Sequence, residues 1–329
     1  MPDLVMEIIM KYAGFKSVLT LRKVSRSLRN YIDNSPDWIL LDANLTSLDI
    51  KIRLDSISII YRSSNFFGFL EYSVVGSGKC KRIYNGKIEK FENVDLVEMA
   101  VKDLKLVMRF RKFELKSVMV DFDFDPEIVG ELMEDWLGEV FDRGSLKSES
   151  LILKVSNQNQ VMSILPYFSP KRLKKLGLEP SQFFMRTCFL ETDQITKTDQ
   201  WKNVKVACIQ YLRLKADLKS FAQIQKGYAC IRSISWRDLD FLKNAFTRPE
   251  SHFLYLCIEY DLFVGEDQLS MIWGPPRITG TNNKFWYFAF LDFESEDVLE
   301  VYWPTVGLQM TISRIESNEV PREAVIQYL

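Results

Sequence analysis

The feature that most restricts this chain's fold is a recurring apolar triplet, L-x-x-L-x-L with other large apolar residues admitted. It stands at Leu115/Val118/Val120, Leu173/Leu176/Leu178, Ile209/Leu212/Leu214, Ile231/Ile234/Trp236 and Phe253/Leu256/Ile258. A weaker copy, Ser148/Leu151/Leu153, lacks the first apolar residue, and an isolated earlier one is Leu45/Leu48/Ile50. Stretches of helical periodicity lie between the copies, among them "PEIVGELMEDWLGEVF", "QNQVMSILPYF", "RDLDFLKNAF" and "EDQLSMIWG". One strand–helix unit of this kind cannot bury both of its faces. Units stacked side by side can, and they give a curved parallel sheet lined by helices, the leucine-rich-repeat arrangement. The asparagine that follows each strand of a regular leucine-rich repeat is missing, so the expected sheet is irregular. A doubly wound α/β sheet is the competing topology, since apolar alternation alone does not separate the two.

The ends of the chain differ from this pattern. Residues 1–34 have helical spacing: Leu4, Ile8 and Tyr12, widened by Val5 and Ile9, then Leu21, Val24, Leu28 and Tyr31. Asp3 is placed to cap the first helix and Ser17 the next. Arg22, Arg26 and Arg29 fall on the face opposite the second apolar stripe. So short a helical segment does not bury enough surface to be stable without help. "LTSLDIKIRL", "SISIIYR" and "FFGFLEYSVV" have strand character, and Asn85-Gly86 marks a two-residue hairpin. Helical spacing returns over residues 94–112. At the other end, "KFWYFAFLD", "DVLEVYW" and "GLQMTISRI" are strand-like runs with short connections, an expected antiparallel cap on the stack.

Composition narrows the function classes. There are 43 basic and 44 acidic residues, so the chain as a whole has no drive toward nucleic acid or anionic membrane. Five cysteines lie far apart, with no CxxC pair, which fits a reduced cytoplasmic or nuclear setting. The first ten residues carry Asp3 and Glu7 and no basic cluster, unlike a secretory signal. The aromatic run "FWYFAFL" is far short of the ~20 residues that span a bilayer.

Catalytic and metal motifs fail on inspection. "DFDFDPE", Asp121 to Glu127, places acids at alternate positions, but a calcium loop started there would need Gly and Glu where Pro126 and Leu132 stand. "GSGKC", Gly76 to Cys80, lacks the first Gly and last Ser or Thr of a phosphate loop, and a hairpin turn explains it. His252 is the only histidine, so any Ser-His-Asp or Cys-His arrangement must use it. The basic N-terminal helices carry six basic residues against three acidic, without the aromatic interleaving of a nucleic-acid binder. An acidic protein surface accounts for the same charge.

The segment "MPDLVMEIIMKYAGFKSVLTLRKVSRSLRNYID" resembles an F-box, with Pro2, Leu4, Ile8, Ile9, Phe15, Leu19, Val24 and Leu28 at the matching apolar places. Met1 stands where the family has Leu, Ala13-Gly14 replaces Leu-Asp, and Ser25 replaces a common Cys. "CKRIYNGKIEKFENVDLVEMAVKDLKLVMRF", "LETDQITKTDQWKNVKVACI", "WRDLDFLKNAF", "DQLSMIWGPP", "FWYFAFL" and "SRIESNEVPREAVI" resemble the FTH domain of the nematode F-box A family. The resemblance implies an F-box over 1–44 and an FTH, leucine-rich-repeat-like domain over 45–329. It further implies a non-catalytic substrate-recognition subunit of a Skp–cullin–F-box ubiquitin ligase. That role calls for a Skp-type adaptor, through it a cullin–RING ligase, and a target protein, with no cofactor, nucleic acid or membrane. The competing reading is an interaction module whose F-box has degenerated and which has no ligase role, favoured by Met1 and Ala13-Gly14.

Pro2, Leu4, Val5, Ile8, Ile9, Phe15, Leu19, Leu21, Val24 and Leu28 are the expected adaptor contacts. Residues flanking the last apolar position of each triplet point away from the core by strand alternation. That nominates Met119, Asp121, Lys154, Glu179, Arg213, Lys215, Arg237 and Glu259 for the target face.

Overall fold

The computed structural model describes residues 3–13, 15–34, 44–64, 67–76, 79–84, 86–109, 114–123, 137–181, 189–215, 217–291 and 296–327. The chain divides into two compact units, Met1–Leu151 with Tyr167–Arg172, and Ile152–Pro166 with Leu173–Leu329.

The first unit begins with the three short helices that the spacing predicts: α1 (Asp3–Tyr12), α2 (Phe15–Val24) and α3 (Arg26–Asn34). α2 starts at Phe15, two residues ahead of the expected cap at Ser17. Ser25 caps α3, its Oγ accepting from the Leu28 amide at 3.1 Å. Among the described side chains of the trio, the apolar residues Met6, Met10, Val18 and Ile32 are buried.

Five strands follow as an antiparallel meander: β1 (Leu45–Ile52), β2 (Ser56–Ser63), β3 (Phe67–Gly76), β4 (Lys79–Tyr84) and β5 (Lys87–Glu92). Within the "GSGKC" stretch Gly76, the last residue of β3, pairs with Lys79, the first of β4, and Tyr84 pairs with Lys87 on either side of the expected Asn85-Gly86 hairpin. Helix α4 (Leu96–Arg109) is capped by Asp95, which accepts from the Val97 and Glu98 amides at 2.7 and 3.0 Å. It buries Ala100, Val101, Leu104 and Val107. Strand β6 (Leu115–Phe122) then returns parallel to β1, pairing Leu48 with Val118 and Ile50 with Val120. The triplet that looks isolated in the sequence is thus the lateral neighbour of the Leu115 copy. The boundary between the units falls within β7 (Ser148–Val155).

In the second unit β8 (Lys175–Pro180) and β9 (Phe189–Glu191) both pair with β10 (Val206–Lys215). β11 (Lys226–Ser235) and β12 (Tyr255–Val264) follow, all parallel. The helices are α5 (Gln158–Met162), α6 (Asp199–Asn203), α7 (Trp236–Phe246) and α8 (Glu266–Trp273). The expected antiparallel cap is present. β12 pairs antiparallel with β16 (Gln309–Glu316), β16 with β15 (Asp297–Trp303), and β15 with β14 (Lys284–Ala289). The two-residue strands β13 (Arg277–Ile278) and β17 (Ile326–Gln327) also pair with β14.

The register corrects two of the triplets. Leu176 and Leu178 pair with Ala207 and Ile209, these with Gly227 and Ala229, and these with Leu256 and Ile258. The equivalent copies are therefore Val204/Ala207/Ile209 and Ile224/Gly227/Ala229, not the ones beginning at Ile209 and Ile231. Small residues hold these places because neighbouring side chains already fill the layer: a Cβ on Gly227 would stand 2.7 Å from the Leu256 Cδ1 and 3.3 Å from the Ile224 Cγ2. Trp236 is not a strand residue; Ser235 ends β11 and caps α7 in a reciprocal box with Asp238.

Helices and turns cover the triplet face. Trp201 meets Phe221 edge to face at 5.3 Å, Phe246 stacks on Phe253 at 3.7 Å, and Trp273 meets Phe288 at 5.1 Å and Trp286 at 5.7 Å.

Candidate functional site

Two surfaces present the candidate functional side chains, one on each unit. On α1, Met6 and Met10 point into the first unit, while Leu4 (69% exposed), Val5, Ile8 (52%), Ile9 and Tyr12 (78%) face solvent. At about 100° per residue those five lie within an arc of about 140°. Exposed apolar residues gathered on one helix face mark an interaction site rather than a core. Sequence reasoning left Tyr12 off this surface, although its spacing of four from Ile8 continues the row. Val24 is exposed, and Leu21 and Leu28 are half-buried. Pro2 and the side chains of Phe15 and Leu19 lie outside what is described.

The three arginines do not share one role. Arg22 is bound to Asp33, Nε to Oδ1 at 2.7 Å and Nη2 to Oδ2 at 3.1 Å. Arg26 and Arg29 stay exposed.

The second surface is the face of the second unit's sheet opposite the triplets. One transverse row on it runs Phe189, Arg213, Cys230, Glu259, Gln309. The next row holds Gly177, Cys208, Tyr228, Cys257 and Thr311. A bulge in β10 sets the first row. Ile209 pairs with Ala229 but Arg213 with Cys230, so Gln210, Tyr211 and Leu212 have no partner of their own on β11. Tyr211 accordingly takes a left-handed φ of 62°. The structure thus brings Arg213 and Glu259, nominated from separate triplets, into one row. Cys230, in the same row, was missed because its strand was framed out of register.

The other nominated residues are placed variously. Lys215 pairs with Glu191 at 2.5 Å and Lys154 with Glu179 at 3.8 Å. Met119 is half-buried. Asp121 is buried rather than presented on an open face. It is 5% exposed, because its register partner Lys51 reaches over it, Nζ 3.5 Å from Asp121 and 3.0 Å from Asp123. Arg237 is exposed on α7, not on a strand.

Beside the row lies a cleft of about 310 Å³ whose lining includes Arg213, Cys230, Glu259, Asp261, Val306 and Leu308. Arg213 Nε donates to both Asp261 oxygens at 2.8 and 2.7 Å. Burial and the Glu259 hydrogen bond push the Cys230 thiol up to about 11, and burial also raises the Cys208 and Cys257 thiols. Thiols held protonated in this way are poor nucleophiles at neutral pH. His252 has no hydrogen bond or ion pair among the described residues. No group of three His, Cys, Asp or Glu among them is placed to hold a metal. No described helix is long and apolar enough to cross a membrane.

In chain order, a helical trio with an outward apolar row precedes a unit of parallel strands and helices. The F-box domain family model matches residues 1–40 and the FTH domain model residues 132–271, so the chain has an F-box followed by an FTH domain. No curated protein and no solved structure matches it. An F-box domain supports a role in Skp-type adaptor binding.

Proposed function

We propose that this protein is the substrate-recognition subunit of a Skp–cullin–F-box ubiquitin ligase, working in the cytoplasm or nucleus without chemistry of its own. The observation that carries the reading is the outward row of Leu4, Val5, Ile8, Ile9 and Tyr12 on a helix of the F-box. A partner that covers the row removes apolar surface from water at ~25 cal/mol per Å², less the cost of association. Val24, Leu21 and Leu28 extend that contact. The face of the C-terminal sheet that carries Arg213 and Glu259 holds the target. Catalysis is then by proximity: the bound target's lysines are kept near a charged ubiquitin-conjugating enzyme at raised effective concentration.

Affinity purification of the full chain from cells tests the reading. Recovery of a Skp-type adaptor with a cullin, lost when residues 1–34 are deleted, is the expected result. Target proteins recovered without any adaptor point instead to an interaction module with a degenerate F-box.

A further inference from the structure

We infer that the cleft beside Arg213 and Glu259 takes a basic side chain, lysine or arginine, from the target protein. This rests on the target-receptor reading and names the chemistry that the receptor selects.

Charge bookkeeping inside the cleft carries the inference. Arg213 and Asp261 neutralise each other through two hydrogen bonds. Glu259 has no such counter-charge. Its hydrogen-bond partners are the Cys230 thiol at 3.2 Å and the Tyr228 hydroxyl, and no ion pair engages it among the described residues. Other carboxylates of the same sheet do have lysine partners, Glu179 with Lys154 and Glu191 with Lys215. Among the residues that line it, the cleft therefore holds one carboxylate without an ion-pair partner; Arg232 of β11 lies outside that lining, its guanidinium 5.3 Å from the centroid of the Phe189 ring.

Its walls suit the stem of a long basic side chain. Val306 is 88% exposed and Leu308 57%, both on the connection between β15 and β16 that borders the cleft. Lysine and arginine lay their methylenes along such surface while the charged head meets a carboxylate. An acidic side chain would meet Glu259 and Asp261 together. The strained Tyr211 in the bulge that brings Arg213 into the row fits a functional position, since strain of this kind collects at binding sites.

Methyl NMR of the full chain, read at Val306 and Leu308, tests this with four blocked peptides, acetyl-Leu-X-Leu-amide with X as Arg, Lys, Gln or Glu. The Arg and Lys peptides should bind about tenfold or more tighter than the Gln and Glu peptides, the range for a charge-assisted contact. In Glu259→Gln the preference should fall below about twofold with the melting curve retained. Val306→Ser, at an exposed position, should weaken all four peptides alike and keep their order. Equal affinities, a preference for Glu, no shifts at millimolar peptide, or a preference that survives Glu259→Gln would each overturn the inference. A chain that captures adaptor but shows no charge preference loses this inference alone. One that shows the preference but captures no adaptor keeps the cleft and loses the ligase role.

Discussion

Arg22 and Asp33 stand eleven residues apart and meet through two hydrogen bonds, Nε to Oδ1 at 2.7 Å and Nη2 to Oδ2 at 3.1 Å, that tie α2 to α3. The arginine side chain is 18% exposed and the carboxylate 33%, so the pair lies between the surface and buried limits. Arg29 adds a longer contact from its Nε to the Arg22 carbonyl at 3.4 Å.

Arg22→Met should therefore cost about 1–2 kcal/mol, more than an exposed pair contributes and less than a fully buried one. Arg26→Met, at an exposed site, should change stability by no more than about 0.5 kcal/mol. Urea denaturation followed by circular dichroism compares the two.

Asp123 gives the fold a dependence on acid. Burial pushes its carboxyl up, but hydrogen bonds from Lys51 and Arg53 together with their charges outweigh that and hold it below the ordinary carboxylate value. A group depressed in the folded state stabilises above its unfolded pKa of about 3.9, and the contribution is lost as pH falls through the folded value. Asp123→Asn should cost about 2–4 kcal/mol at pH 7, and the gap to wild type should narrow progressively below about pH 4. Denaturation midpoints measured across that window decide it; a gap that is constant with pH contradicts the ion-pair explanation.

Gly227 tests the strand register. Its absent Cβ leaves room for Leu256, so Gly227→Ala should destabilise by about 1–3 kcal/mol through overpacking. Gly280 has open space around it, and Gly280→Ala should be close to neutral. Equal effects at the two sites would mean that the β11–β12 pairing differs from the one described.

Much of this architecture was legible in the sequence. Large apolar residues at fixed spacing, such as Leu173/Leu176/Leu178 and Phe253/Leu256/Ile258, announce their strands because each must be buried. The hidden copies are those where Ala207, Gly227 and Ala229 replace large residues. A small side chain fills its place only in the context of its neighbours, so its burial leaves no local signal. The β10 bulge was equally invisible, and the β10 and β11 triplets were framed five and seven residues late as a result. Residues Leu4, Ile8 and Ile9 were readable as an outward row only as part of an amphipathic helix. Which face looks inward is decided by Met6 and Met10, and periodicity alone does not choose between the two faces. Arg22 looked like a member of a solvated basic face, since its partner Asp33 lies on the next helix.

The adaptor-binding claim is tested most directly by titrating a purified Skp-type adaptor into the 329-residue chain and into its Ile8→Asp variant. Ile8 is half-exposed on the outer row of α1, so a charge there should leave the fold intact and spoil only a docked interface. The expected result is saturable binding by the wild-type chain, weakened at least about tenfold in Ile8→Asp with an unchanged melting temperature. Absence of binding by the wild-type chain, or equal affinity for the two, would contradict it.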